Sequence, residues 1–330
     1  MGKGIFKEVG RLALGAGLGF AAVNTAGSLA MTGKPFSWLL SPSVDMVGLT
    51  KASRDALGKV DVTYDVASAD GRKIPLMVLK PKKASANAFG VLWIHGGGYI
   101  TGMKEMALFS RAVDLVEKFG CTVVSPGYRL APIHPYPAAL DDCYDALLWL
   151  KRNAQDLGVR TDKFIVGGES AGGGLCAAVC MRARDFGEVD IALQLPLYPM
   201  IDNLPTKTNV GNHGKVWNSA RNHFAWKAYL RSIANPNCAT AYAAPARQID
   251  YENLPPCYTF VGTGEPFYAE TCAYVSHLRD AGVEAVLDIY DTDVHAFDMV
   301  QPDTDLANEA ATRFCERIAE FFETQGLSAN

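Results

Sequence analysis

From about residue 60 onward, short runs of β-branched and aliphatic residues alternate with helix-length amphipathic stretches, and no internal repeat interrupts the pattern. Such alternation leaves few solutions. Strand-crossover-strand connections within one sheet are right-handed, which makes the strands parallel and lays helices over both faces. Residues 60–67 and 74–80 flank Asp70-Gly71, a pair suited to the tight turn of an antiparallel hairpin. Residues 90–95, 122–125, 164–167, 192–197, 258–261 and 285–290 are continuous apolar runs, the pattern of strands covered on both faces. Helical patterns at 105–119, 138–154, 171–186, 267–281 and 304–324 fill the intervals. The expected fold is α/β: a mostly parallel twisted sheet with helices on both faces.

Residues 199–255 break the alternation. They are too many for a loop in a compact domain, and they carry Trp217, Phe224, Trp226, Tyr229 and Tyr242. Insertions of this length act as lids or binding loops. This one follows a strand, at the carboxyl edge where open α/β sheets bind their ligands. The aromatics also suit a small packed subdomain, and lining by two or three of them is compatible with that.

Composition narrows the partners. With 31 Lys and Arg against 35 Asp and Glu the net charge is −4, and neither sign forms a block. Nothing here matches a nucleic-acid backbone. Eight cysteines without a C-x-x-C or a Cys/His zinc spacing read as reduced, mostly buried thiols, which favours a cytoplasmic protein over an exported one. No metal is expected. At the N-terminus, Ile5, Val9, Leu12, Ala16, Phe20 and Val23 recur with helical spacing, as in an amphipathic helix packed on the protein body or on an interface. Lys3, Lys7 and Arg11 before an apolar stretch, with Ser28-Leu29-Ala30 behind it, give a signal peptide as the second reading. Contact of residues 1–30 with a membrane surface is the third.

The chemistry begins at Gly168-Glu169-Ser170-Ala171-Gly172, a G-x-S-x-G run between an apolar strand pattern and a small-residue helix. In that context the serine sits on a sharp, strained turn that lifts its hydroxyl above the sheet edge, at a helix N-terminus that favours negative charge. A serine hydroxyl needs a base. Of the six histidines, His295 alone follows the last strand pattern in a loop before the final helix, where it reaches the same edge. His95-Gly96-Gly97-Gly98 closes another strand, and consecutive glycines let backbone amides approach a developing oxyanion. The same run lacks the lysine of a phosphate-binding loop.

Together the HGGGY run from His95 to Tyr99, the segment YRLAPIHPYPAALDD from Tyr128 to Asp142, the GESAGG elbow from Gly168 and the His295 loop resemble the hormone-sensitive lipase-like branch of the α/β-hydrolases. The resemblance spans roughly residues 55–325. It implies a carboxylesterase of the acetyl-esterase kind, acting through an acyl-enzyme on short to medium acyl esters without cofactor. Ser170 would be the nucleophile, His295 the base, and Gly96, Gly97 and Ala171 the oxyanion amides. It also implies a helical cap, so the chain divides into an N-terminal cap segment (1–55), a first core part (56–198), a cap insertion (199–255) and a second core part (256–330). Tyr99, Trp217 and Phe267 are the candidates for substrate contact. A small-molecule ester is then the partner, and a homo-oligomer is compatible with the sequence.

Three positions depart from the family pattern. Glu265-Pro266-Phe267 stands where Asp-Pro-Leu is common, His295-Ala296-Phe297 where His-Gly-Phe is, and Ile133 where Glu is. Glu265 remains the expected acid. It follows a strand through Gly262-Thr263-Gly264 at the same sheet edge, whereas Glu270 lies inside the next helix, where it should cap or solvate the first turn. Asp291 and Asp293 would need a sharp fold-back to reach the imidazole. Two other classes compete: a catalytically inactive binder with the same fold, and a dinucleotide-dependent oxidoreductase using Gly172-Gly-Gly174 to Ala177 with Asp190. The first would be expected to lose a member of the triad; the second leaves the His95 run and His295 unexplained.

Overall fold

In the computed structural model, which describes residues 46–83 and 88–327, eight strands form one sheet in the order β1-β2-β4-β3-β5-β6-β7-β8. Strands β1 (Val60–Ala69) and β2 (Arg72–Pro81) form the hairpin, with Asp70 and Gly71 both at positive φ as its two-residue turn demands. Strand β2 also pairs antiparallel with β4 (Thr122–Pro126). All later pairings are parallel, through β3 (Gly90–Ile94), β5 (Phe164–Glu169), β6 (Ile191–Leu197), β7 (Cys257–Gly262) and β8 (Ala285–Tyr290).

The strand side chains alternate between two cores. Leu76, Val78, Leu92, Ile94, Val124 and Val166 face one side, under α3 (Ala138–Arg152) and α5 (Ala171–Phe186). Met77, Leu79, Val91, Trp93, Val123 and Ile165 face the other, under α2 (Ala112–Phe119) and α9 (Asp305–Thr324). Both faces being dry explains why these strands read as unbroken apolar runs. Helix α7 (Tyr268–Asp280) packs with β7 and β8 at the far end.

Three elements differ from the sequence pattern. The helix expected at 105–119 is split into a 3-10 turn (Lys104–Phe109) and α2. Ser110 makes the break: its hydroxyl donates to the Ala107 carbonyl and accepts the Ala112 N–H, replacing helix bonds with side-chain ones. The helix expected at 138–154 ends at Arg152, and α4 (Ala154–Leu157) restarts after Asn153. Helix α1 (Met46–Lys59) begins within the segment read as N-terminal cap. The amphipathic pattern over residues 5–23 lies outside the described residues. Within 199–255 lie α6 (Ser219–Tyr229), whose first turn is capped by the Asn218 side chain, and two 3-10 turns, Pro236–Cys238 and Pro245–Arg247. Among the described residues no helix is long and apolar enough to cross a membrane.

Candidate active site

Ser170 sits between β5 and α5 at φ +56° and ψ −117°, a conformation that L-residues hold only when the surroundings impose it. The imposition is visible. Its N–H donates to the Leu197 carbonyl, and its carbonyl accepts the N–H groups of Gly174 and Met200. The first turn of α5 lies so close to the strand ends that a Cβ at Gly172 would stand 2.0 Å from the Ile94 carbonyl oxygen, and one at Gly174 2.2 Å from that of Met200. Those glycines are therefore filled by protein backbone. A pyrophosphate has no room there, which removes the physical basis of the dinucleotide reading.

His295 Nε2 lies 2.8 Å from Ser170 Oγ. Its Nδ1 is hydrogen-bonded to a Glu265 carboxylate oxygen, and the other oxygen of that carboxylate accepts the Gly262 N–H at 2.6 Å. With Nδ1 facing a carboxylate, the proton of a neutral ring belongs there and the Nε2 lone pair is free to accept from the serine. The acid and base loops are also joined through their backbones, Gly264 N–H donating to the Thr292 carbonyl at 2.9 Å. Ser170, Glu265 and His295 are all buried. Phe267 and Tyr198 present their rings edge-on to the imidazole, with centroids 4.9 and 5.2 Å away.

The glycine run after β3 borders the serine: a Cβ at Gly96 would lie 3.3 Å from Ser170 Cβ. His95 Nδ1–H donates to the Gly96 carbonyl at 2.8 Å, and its ring stacks on Tyr128, whose hydroxyl donates to the His95 carbonyl. Burial holds His95 down to about 4, so it is a neutral donor. Because carbonyl and N–H oppose each other across a trans peptide, fixing the Gly96 carbonyl also fixes the Gly97 N–H. Gly97 and Gly98 follow at φ +111° and +60°. Ala171 opens α5.

The three residues expected to touch substrate are packed against protein. Tyr99 donates its hydroxyl to the Met200 carbonyl at 2.6 Å and stacks on Tyr229. Phe267 is wholly buried beside His295, and the Trp217 ring lies on Gly98. As packed here they offer a ligand little surface. Glu270 corrects another expectation. Instead of capping or solvating its helix, it is buried and accepts the N–H groups of Ile201 and Asp202, pinning the start of the insertion; burial raises its carboxyl well above the ordinary range.

Sequence reasoning missed a buried polar layer below the imidazole. Asp298 accepts the Tyr198 hydroxyl at 2.9 Å and lies 3.4 Å from the Arg111 guanidinium. Glu169 accepts the Trp93 indole N–H. A charged residue inside the apolar run Phe297-Asp298-Met299 was the available signal for the first; the variable position of the elbow hid the second. Among the described residues, no group of His, Cys, Asp and Glu could hold a metal ion.

Comparison with known proteins agrees with this fold. A family model described as alpha/beta hydrolase fold matches residues 91–299. The chain is 34% identical over 231 residues to carboxylesterase NlhH of Mycobacterium tuberculosis, covering 68% of this chain and 71% of that protein. It is 31% identical over 232 residues to an arylesterase of Saccharolobus solfataricus, covering 68% and 73%. Among solved structures, a bacterial heroin esterase superposes with a TM-score of 0.75 at 30% identity, over 88% of this chain and 95% of that one.

Proposed function

The chain belongs to the α/β-hydrolase fold family, in its hormone-sensitive lipase-like branch, and is a carboxylesterase-like hydrolase of small esters; from that premise we propose that Ser170, His295 and Glu265 carry the reaction. Ser170 Oγ attacks the ester carbonyl carbon while its proton passes to His295 Nε2. The carbonyl oxygen becomes an oxyanion, met by the amides of Gly96, Gly97 and Ala171. Collapse breaks the bond to the alcohol oxygen, which takes the proton from Nε2–H and leaves. Water then attacks the acyl-enzyme, again giving its proton to Nε2, and the acid departs as Ser170 recovers its hydrogen.

Glu265 fixes the Nδ1–H tautomer and stabilises the imidazolium. The Gly262 N–H holds the second oxygen of this longer side chain. The observation that carries the reading is the unbroken hydrogen-bonded relay of the buried Ser170, His295 and Glu265 side chains. It also speaks against an inactive binder, since no member is missing. We read residues 1–55 and 199–255 as cap and the remainder as core, with short to medium acyl esters as substrates. The relay is tested with purified Glu265→Gln beside Asp293→Asn, an exposed acid two residues from the base. A kcat/KM reduced by orders of magnitude for the first and unchanged for the second supports it; equal effects contradict it.

A further inference from the structure

Trp217 and Val216 are neighbours in the cap insertion, and they contact opposite halves of the site. The Trp217 indole occupies the space over Gly98 so fully that a Cβ there would lie 2.2 Å from its outermost ring carbon. Val216 is buried in one cluster with Leu49 of α1 and Val300 of α8 (Phe297–Val300), against which Val294 and Ala296, on either side of His295, also pack. The strap holding both residues is itself fixed. Arg221 donates to the Lys215 and Val216 carbonyls at 2.5 and 2.6 Å, Trp217 Nε1–H reaches Asn222 Oδ1 at 3.4 Å, and Asn218 caps α6.

We propose that Val216-Trp217 is a positioning element of the catalytic centre: Trp217 holds the oxyanion turn in place through Gly98, and Val216 ties the same strap to the loop carrying His295. The inference rests on the reading of Gly96 and Gly97 as oxyanion donors. Gly98 and Tyr99 are consecutive residues at positive φ, +60° and +63°, a conformation that persists only where the surroundings impose it. A ring seated on it restricts where the preceding amides point. A donor displaced from a developing oxyanion costs roughly 10²–10³ in kcat when lost outright, so a partial displacement is visible kinetically.

The experiment compares Trp217→Ala, Val216→Ala, Gly98→Ala and the double variant Gly98→Ala/Trp217→Ala on acetate, butyrate and hexanoate esters. If the ring positions the turn, Trp217→Ala lowers kcat by about tenfold or more by the same factor on all three esters, with KM changed less than about twofold. Affinity for a trifluoromethyl ketone, which forms the tetrahedral adduct, falls in parallel with kcat/KM. Gly98→Ala is costly in the wild-type background, where its methyl meets the ring, and costs several-fold less once the ring is gone, the remainder being the strain of an alanine at φ +60°. Val216→Ala, a change too small to unfold the chain, gives a milder loss of the same kind. If instead Trp217→Ala leaves kcat on acetate intact and only extends activity to longer chains, Trp217 is a pocket wall and the proposal is overturned. Additive costs in the double variant overturn it too. Full activity of Ser170→Ala would sink the underlying mechanism instead, so the two failures are distinguishable.

Discussion

Glu169, the residue before the nucleophile, accepts the Trp93 indole N–H at 2.7 Å, with both side chains shut away from water. Burial pushes this carboxyl up to about 8, opposed by the Trp93 bond and reinforced by nearby Asp298. Its folded pKa therefore lies above the unfolded value of about 4.5. A protonated Glu169 contributes stability that is complete below about pH 4.5 and is lost as pH rises through about 8. Glu169→Gln keeps an acceptor for the indole and does not titrate. The stability advantage of wild type over Glu169→Gln, from urea unfolding at a series of pH values, should fall across that window by a few kcal/mol. Parallel curves would show that Glu169 does not hold a proton in the fold.

His95 shifts stability in the opposite sense. Burial lowers it from 6.5 to about 4, so the folded chain binds fewer protons than the unfolded one between those values. Its contribution is complete above about pH 6.5 and is lost as pH falls through about 4. His95→Asn, which retains a donor toward the Gly96 carbonyl, should flatten that acid limb. The same urea series checks it, and an unchanged acid limb would contradict a buried neutral His95.

Gly172 and Gly158 separate close packing from backbone conformation. A methyl at Gly172 would meet the Ile94 and His95 carbonyls at 2.0 and 2.6 Å, and neither strand end can retreat. Gly172→Ala should cost several kcal/mol or abolish soluble expression. Gly158, at φ +73°, faces open space, so Gly158→Ala should lose only about 1 kcal/mol. Similar costs at the two sites would mean that α5 is not held against β3 as closely as described.

Acyl chains of about two to six carbons should be cleaved faster than long ones. Behind the glycine turn Tyr99, Trp226 and Tyr229 pack together, with centroids 4.1–6.0 Å apart, and fill the cap with rigid aromatic bulk rather than an open apolar groove. A panel of esters of one alcohol measures the cutoff. Faster hydrolysis of an emulsified long-chain triglyceride than of an acetate or butyrate ester would contradict it.

Most of the sheet was legible because its central strands are dry on both faces: the runs 122–125 and 164–167 lie within β4 and β5, which are buried throughout, and the helix pattern 171–186 coincides with α5. The Ser170 elbow and the His295 loop were legible because both follow strands at one edge. The break at Ser110 was not, since it depends on one hydroxyl competing for backbone groups. Glu270 was misread because helix position predicts solvent, while its actual partners lie about seventy residues away at Ile201 and Asp202. Tertiary contacts of this kind leave no local pattern. Tyr99 and Trp217 were legible as aromatic and near the site, but whether a ring lines a cavity or fills it depends on what packs behind it.

The most direct test of the mechanism is where a phosphonylating electrophile lands. Purified protein is treated with a fluorophosphonate at neutral pH and peptide-mapped by mass spectrometry, with His295→Ala in parallel. A single stoichiometric adduct on Ser170, formed at least about a hundredfold more slowly in His295→Ala, is the result expected of a serine activated by its base. Labelling elsewhere, or equal rates in the two proteins, would contradict it.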